Sequence, residues 1–205
     1  MKRAERSAFT LIEMLAVIAI IGLLVTLISP QVGRARLRGK LLKEATKARN
    51  IVEAITAKES ARRLGGPAWP ASSGGSSASS CAEYLASLVE DGYLDVDYAW
   101  FAGPGMEPAR SKSEFLADPK KHNAWCIVLD VNDLVPGNCP VVFTRNLKVS
   151  GSTATIRPAA LPFGDQGFAF ATKNGEASFV ERESIRNNDY QTIFNLGGKS
   201  VSVLE

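Results

Sequence analysis

Residues 9–30 read "FTLIEMLAVIAIIGLLVTLISP", an apolar run of 20 residues from Phe9 to Ile28 that contains one carboxylate, Glu13. A helix of that length rises about 30 Å, which matches the hydrocarbon core of a bilayer. A charged side chain inside hydrocarbon is costly, so Glu13 requires a partner there. The run predicts a transmembrane helix over residues 9–29, in which Glu13 has a specific task.

The flanks of this run bear on whether it is removed. Lys2, Arg3 and Arg6 precede it, as in a secretory signal peptide, which is cleaved after its apolar region. Downstream, however, "SPQVGRARLRG" (29–39) places a proline and three arginines where a signal-peptidase site should lie. The sequence therefore predicts that the apolar helix is kept in the mature protein.

The motif "AFTLIE" (8–13) after a short basic leader resembles the processing site of type IV pilins and of the pseudopilins of type II secretion. The resemblance implies a leader of residues 1–8, cleavage by prepilin peptidase between Ala8 and Phe9, and methylation of the new Phe9 amine. The family usually has glycine immediately before the cut, where this chain has Ala8.

Two further positions agree with the resemblance, since Gly22 and Pro30 fall where many members have residues that loosen the helix. The resemblance implies a structural subunit rather than an enzyme, without a cofactor. It would be held in the inner membrane by one span, with a cytoplasmic N-terminus and a periplasmic or other extracytoplasmic head. Its partners would be copies of itself, other pilin-like subunits, prepilin peptidase and the inner-membrane assembly machinery.

Cleavage would create a charged amine at Phe9, and burying this charge in lipid is costly, as it is for the Glu13 carboxylate. In a helical stack of subunits, Glu13 of one chain can neutralise the Phe9 amine of its neighbour, and the pair interacts far more strongly in a low dielectric than in water. A shifted neighbour would leave both charges unpaired, so the contact also sets the register. We predict that Glu13 is an assembly residue and not a catalytic one.

Three functions remain open. A type II secretion pseudopilin is favoured over a true surface pilin because the sequence shows no adhesive or disulfide-looped tip. The third function, from another class, is a membrane-anchored extracytoplasmic binding module or enzyme whose N-terminus only resembles a pilin. The start of the mature chain separates the first two from the third.

Charge is unevenly distributed beyond the apolar run. Residues 30–63 hold ten Lys and Arg against three Glu, a net charge of +7, whereas residues 64–205 carry a net charge of −5. A basic stem beside a membrane helix suits anionic lipid headgroups or an acidic neighbour. It lacks the aromatic residues and motifs of a nucleic-acid site, so no nucleic acid is expected. Positive charges alone would place the head in the cytoplasm, contrary to the resemblance.

The next segment, residues 30–64, predicts an amphipathic stem helix. Its apolar residues recur at spacings of three and four, which is typical of one buried helical face. They are Leu41, Leu42, Ala45, Ala48, Ile51, Val52 and Ile55. Gly65, Gly66 and Pro67 predict its end.

Residues 65–205 predict a globular head that begins with a low-complexity loop (65–80). The capping box Ser80-x-x-Glu83 predicts a short helix, residues 101–121 an irregular surface stretch, and 190–198 a short helix or turn. Strand signals at 124–131 and 139–146 predict one antiparallel hairpin, and 167–180 a second around a type I′ turn at Asn174-Gly175. That turn would set Phe170 opposite Phe179. The prediction is an α+β fold, a long helix packed on a small antiparallel sheet.

Residues able to carry chemistry are few. Three cysteines, Cys81, Cys126 and Cys139, are too widely spaced for a zinc cluster. In an extracytoplasmic head, two of them would form a disulfide and one would stay a thiol, with the pairing left open. The alternative is that all three are buried and act as small apolar residues. The lone His122 predicts a surface residue. Asp130 and Asp133 are weak calcium candidates without EF-hand spacing, an acidic hairpin turn being favoured. The sequence contains no phosphate loop and no nucleophile motif.

Overall fold

One helix, α1, runs from Leu11 to Ala61 and links the two units into which the chain divides, residues 1–39 and 40–205. The structure is a computed structural model that describes residues 10–61, 69–71, 79–150, 153–187 and 202–205, without the side chains of 27–30 and 150. In the first unit, the described residues after Thr10 are all helical. Leu, Ile, Ala and Met, which fill this part, are compatible with a helix when its surroundings are apolar.

In the second unit, α1 buries one face against the head. Leu41, Ala45, Ala48, Ile51 and Ile55 are completely buried, which confirms the stem pattern at these positions, and Val52 is buried with them. Leu42 was wrongly assigned to this face, because it is 59% exposed. One residue turns the helix by about 100°, so Leu42 points away from the stripe that begins at Leu41.

The head contains a five-stranded sheet in which all neighbouring strands are antiparallel. Its order is β6-β5-β2-β1-β7, and a separate two-stranded sheet pairs β3 with β4. The strands are β1 (Trp125–Val128), β2 (Pro140–Thr144), β3 (Leu147–Ser150), β4 (Thr153–Ile156), β5 (Gly167–Thr172), β6 (Ala177–Glu181) and β7 (Val203–Leu204). Both the α+β fold class and the pairing of β1 with β2 are confirmed. Three strands, β3, β4 and β7, were not predicted from the sequence.

Short helices complete the head: α2 (Cys81–Glu90), α3 (Lys112–Ala117), α4 (Pro119–His122) and α5 (Arg182–Arg186), with a 3₁₀ helix at Tyr98–Phe101. The Ser80 side chain caps α2 as predicted, by accepting from the Glu83 N–H at 3.2 Å. The prediction of an irregular surface stretch at 101–121 was wrong, since it contains α3 and most of α4. Its apolar residues Phe101 and Phe115 are completely buried. The missed signal is Ser111-x-x-Glu114, a capping box in which Ser111 accepts from the Glu114 N–H at 3.3 Å.

The β5–β6 hairpin forms as predicted, but with a different turn. Gly175 has a φ of +82° and Asn174 does not have a positive φ, so the turn is not type I′. Instead, Thr172 N–H donates to Glu176 O and Gly175 N–H to Thr172 O, both at 2.9 Å, which encloses a three-residue loop. The extra residue shifts the pairing by one. Phe170 therefore lies opposite Ser178, and Phe179 lies opposite Ala169 on the other face of the sheet.

Some predicted features lie outside the described residues. They are the leader with Ala8 and Phe9, the end of the stem at 65–67, most of the loop 65–80, and the segment 190–198.

Candidate functional site

The first turn of α1 is held by a reciprocal set of hydrogen bonds between Thr10 and Glu13. The Thr10 backbone N–H and hydroxyl donate to Glu13 Oε2 at 2.8 and 2.9 Å. In return, the Glu13 N–H donates to Thr10 Oγ1 at 3.3 Å. The helix has four N–H groups without intrahelical partners at its start, and this arrangement satisfies part of that set.

This arrangement is a capping box, Thr-x-x-Glu, which sequence reasoning missed. The signal was present in "TLIE" (10–13), but Glu13 was interpreted from its charge within the apolar run and not from its spacing from Thr10. Glu13 therefore has a partner within its own chain as well as the predicted partner in a neighbour. Ala8 and Phe9 lie outside the described residues, so the cleavage between them and the contact of Glu13 with the Phe9 amine of a neighbour stay predictions.

The apolar side chains that follow Glu13 are exposed around the whole circumference of α1. Those beyond half exposed include Leu11, Ile12, Leu15, Ile18, Ile20, Ile21, Leu23 and Val25. A helix that is apolar on every side belongs in a protein core or in a membrane. By length and hydropathy, no single helix of the described residues qualifies as a membrane span, whereas Leu11–Thr26 and Gln31–Ala61 qualify together as a bent pair.

The two predicted helix-loosening residues lie within α1. Gly22 faces open space, with no atom within 4 Å of the position that a Cβ would occupy. Pro30 lies in the backbone segment between the two arms of the bent pair. Proline removes a helical donor and is a common cause of bends. The loosening role of both residues remains a prediction.

Residues 3–29 match the family model of the prokaryotic N-terminal methylation motif. The chain carries the hallmark of the type IV pilin and pseudopilin family. The match includes Arg3 and Arg6 of the basic leader, Thr10, Glu13 and the exposed apolar residues that follow. Comparison with curated proteins and with solved structures found no match.

This pilin-type N-terminus has several implications. It supports a substrate of prepilin peptidase of the type IV pilin kind, and it implies polymerisation with pilin-like subunits. It also implies a membrane-anchored protein with an extracytoplasmic head, and the family is structural rather than enzymatic. The long apolar start of α1 is consistent with the anchor.

The remaining candidate residues belong to the second unit. The three cysteines are free and buried. His122 is also buried, at 3% exposure, so the prediction of a surface histidine was wrong. Its Nδ1 lies 2.9 Å from Glu107 O, where an N–H at Nδ1 can donate to the carbonyl. Asp130 and Asp133 are exposed, and the described residues contain no group of three or more His, Cys, Asp or Glu placed to hold a metal.

A charged pair is buried where the stem meets the head. Lys47 Nζ donates to Trp100 O at 2.8 Å and Ala102 O at 3.0 Å, and lies 3.1 Å from Glu44 Oε1. Glu44 is 2% exposed, and its Oε2 has no hydrogen-bond partner among the described residues. Burial raises the pKa of Glu44, because loss of hydration outweighs the attraction of Lys47 and Lys43. Sequence reasoning missed this pair, since charged residues rarely occupy the buried face of a helix.

The raised pKa of Glu44 leads to a prediction about pH. The native state binds this proton more tightly than the unfolded state, so Glu44 lowers the free energy of unfolding progressively as pH rises from about 4.5 through the native pKa. Glu44→Gln removes the titration. We expect the unfolding free energy of the wild type, minus that of Glu44→Gln, to decrease as pH rises through this window. Urea unfolding at a series of pH values measures it.

The control for this measurement is Glu53→Gln, which removes one charge from the exposed side of the same helix. It separates the loss of a negative charge on the stem from the loss of the buried carboxyl. A difference between wild type and Glu44→Gln that grows with pH would contradict the prediction, because it would mean that Glu44 is stabilised as a carboxylate.

Proposed function

We propose that this protein is a pilin-like structural subunit that prepilin peptidase processes and that polymerises into the pseudopilus of a type II secretion system. The observation that carries the proposal is the methylation motif at residues 3–29, which leads into a helix whose apolar surface is exposed on all sides. Such a surface suits two environments in turn. Lipid surrounds the helix before assembly, and the helices of neighbouring subunits surround it afterwards.

Assembly would begin with the subunit in the inner membrane as a single-pass protein with its N-terminus in the cytoplasm. The peptidase removes residues 1–8 and methylates the Phe9 amine, and an ATPase-driven machine moves the subunit into the filament. Glu13 of one subunit then neutralises the Phe9 amine of a neighbour. In a low dielectric this contact is strong, and it favours one axial register.

The head supports a structural role in this proposal. The buried face of the stem, from Leu41 to Ile55, packs against it, so the stem and the head form one packed unit. A pseudopilus is favoured over a surface pilus because a periplasmic filament has no need of an adhesive tip. The two are separated by deleting the gene and measuring which is lost, protein secretion or surface filaments.

Processing is the direct test of the proposal. Co-expression with a prepilin peptidase is expected to yield a mature protein that begins at Phe9 and is larger by one methyl group than the cleaved, unmodified chain. Intact-mass and N-terminal peptide mass spectrometry measure both changes. A chain that retains Met1, or one that begins beyond Pro30, would contradict the proposal and favour a membrane-anchored binding module or enzyme.

A matched pair of variants at Ala8 sharpens this test. Ala8→Gly restores the residue that the family usually has before the cut and should be cleaved at least as fast as wild type. Ala8→Glu places a large charged side chain there and should leave the leader attached. Equal processing of both variants would show that cleavage does not occur between residues 8 and 9.

A further inference from the structure

Two of the three buried cysteines meet at one edge of the five-stranded sheet. Cys81 is the first residue of α2, and its backbone N–H donates to Glu205 O at 3.3 Å. In the β1–β7 pair, Ile127 lies opposite Leu204, so the same antiparallel register sets Cys126 opposite Glu205. Residues opposite each other in such a ladder have Cα atoms about 5 Å apart. Glu205 thus connects the backbone of Cys81 to the strand position of Cys126.

The electrostatic surroundings of the Cys81 thiol lie in the same part of the head. The Asn123 side chain and the Ile127 backbone, which lie on either side of Cys126 along the chain, act to lower the pKa of Cys81, although burial raises that pKa more strongly. Both sulfur atoms are buried, with Cys81 at 0% and Cys126 at 1% exposure. Cys126 also acts to raise the pKa of Cys81.

A buried arginine accompanies this pair. The charge of the Arg145 guanidinium acts to lower the pKa of both thiols. Its Nη1 donates to Pro119 O at 3.0 Å, whereas its Nε has no partner among the described residues. A cation beside cysteines favours the thiolate, but burial outweighs that effect here and keeps both cysteines as thiols in the folded head.

Cys139 is excluded from pairing with Cys126 by the register of β1 and β2. Cys126 lies opposite Phe143, and Cys139 is four residues from Phe143 along the chain. That separation corresponds to about 13 Å along a strand, whereas a disulfide requires Cα atoms within about 7 Å. Cys81 lies at the Cys126 end of the strand pair, so the same distance argues against its pairing with Cys139.

We infer that Cys81 and Cys126 form a disulfide that links the start of α2 to β1, and that Cys139 stays a thiol. The inference rests on the extracytoplasmic head of the proposed function, because disulfides persist in oxidising compartments. The bond would anchor α2 beside β7, the short strand at the edge of the sheet.

The oxidation needs an external disulfide as the oxidant. The thiolate of one cysteine attacks a sulfur of that disulfide, its S–S bond breaks, and one thiolate leaves. The second cysteine then attacks the protein sulfur of the mixed disulfide, the Cys81–Cys126 bond forms, and the second thiolate leaves. The two cysteines lose two electrons and two protons, and the external disulfide becomes two thiols. Burial raises the pKa of both cysteines, that of Cys126 to about 12, so the exchange belongs to a stage before the head closes.

The test is thiol mapping of the full-length protein isolated from the membrane without reductant. After denaturation and alkylation with N-ethylmaleimide, we expect one modified cysteine per chain, Cys139, and a linked peptide pair containing Cys81 and Cys126. Three modified cysteines, or a link that includes Cys139, would overturn the inference. Cys139→Ala should keep the link. Reduction, or Cys81→Ala, should lower the melting temperature by roughly 10 °C.

A second arm separates the pairing from the compartment. The purified, reduced full-length protein is refolded with oxidised glutathione, which supplies the disulfide oxidant outside the cell. Formation of the Cys81–Cys126 link here is the expected result, and its absence overturns the pairing. If the link forms in vitro but the protein isolated from cells is fully reduced, the inference that the disulfide forms in cells is wrong. The extracytoplasmic location of the head in the proposed function is then wrong as well.

Discussion

Replacing Glu13 with glutamine is expected to reduce the incorporation of this subunit into filaments by roughly a hundredfold or more. Removing one partner of a desolvated charge pair costs about 3–5 kcal/mol, and each 1.4 kcal/mol is about tenfold in an equilibrium. Glutamine has the size of glutamate and can accept the same hydrogen bonds from the Thr10 N–H and hydroxyl. The variant therefore removes the charge while it retains the cap of α1.

The measurement is the ratio of filament-bound to membrane-bound subunit, by immunoblot, in cells that contain the assembly machinery. Thr10→Ala is the matched control, because it removes the hydroxyl from the cap and leaves the Glu13 charge in place. Loss of a cap costs about 1 kcal/mol, so this control should reduce incorporation by about fivefold at most. Equal losses in the two variants would show that Glu13 acts as a cap and not as a charge partner.

A second large effect is expected where the stem meets the head. Ile51→Ala removes most of a completely buried side chain and should lower the free energy of unfolding by about 2–5 kcal/mol. The loss combines the lost burial of the removed methyl and methylene groups with the cavity that remains. Urea unfolding of the full-length protein in detergent micelles measures it through the fluorescence of tryptophans such as Trp125, which is completely buried in the head.

Leu42→Ala is the control for this prediction. It removes a similar side chain from the same helix at a position that is 59% exposed, and should change the unfolding free energy by about 0.5 kcal/mol or less. If Ile51→Ala and Leu42→Ala had the same effect, the buried face of the stem would be assigned wrongly.

The start and stem of α1 were predictable because their signals are local. The motif "AFTLIE" and the apolar run lie within one continuous segment, and the stem face repeats every three to four residues. A helix converts such spacing directly into a face, whatever the rest of the chain does. Even here the exposed Leu42 was assigned to the wrong side, because the apolar spacing alone did not mark the edge of the buried stripe.

The candidate site was predictable in its residues but not in its contacts. Glu13 was identified by its charge within an apolar run, whereas its hydrogen bonds with Thr10 became apparent only from the structure. In the head, the hairpin at Asn174-Gly175 was predicted, and its register was wrong by one residue. Glycine suits both a two-residue loop and a three-residue loop that ends in a residue with positive φ, and the loop length decides which face each side chain occupies.

The sequence by itself determined the pilin-type start, the long helix, its buried stripe and the α+β class, because each of these depends on residues close together in the chain. Only the tertiary structure decided that His122 and the Glu44–Lys47 pair are buried, and that the start of α2 at Cys81 lies beside the strand position of Cys126 while Cys139 lies elsewhere. These facts depend on contacts between distant segments. The free energy of burying these side chains and of pairing their polar groups comes from contacts that no local sequence pattern encodes.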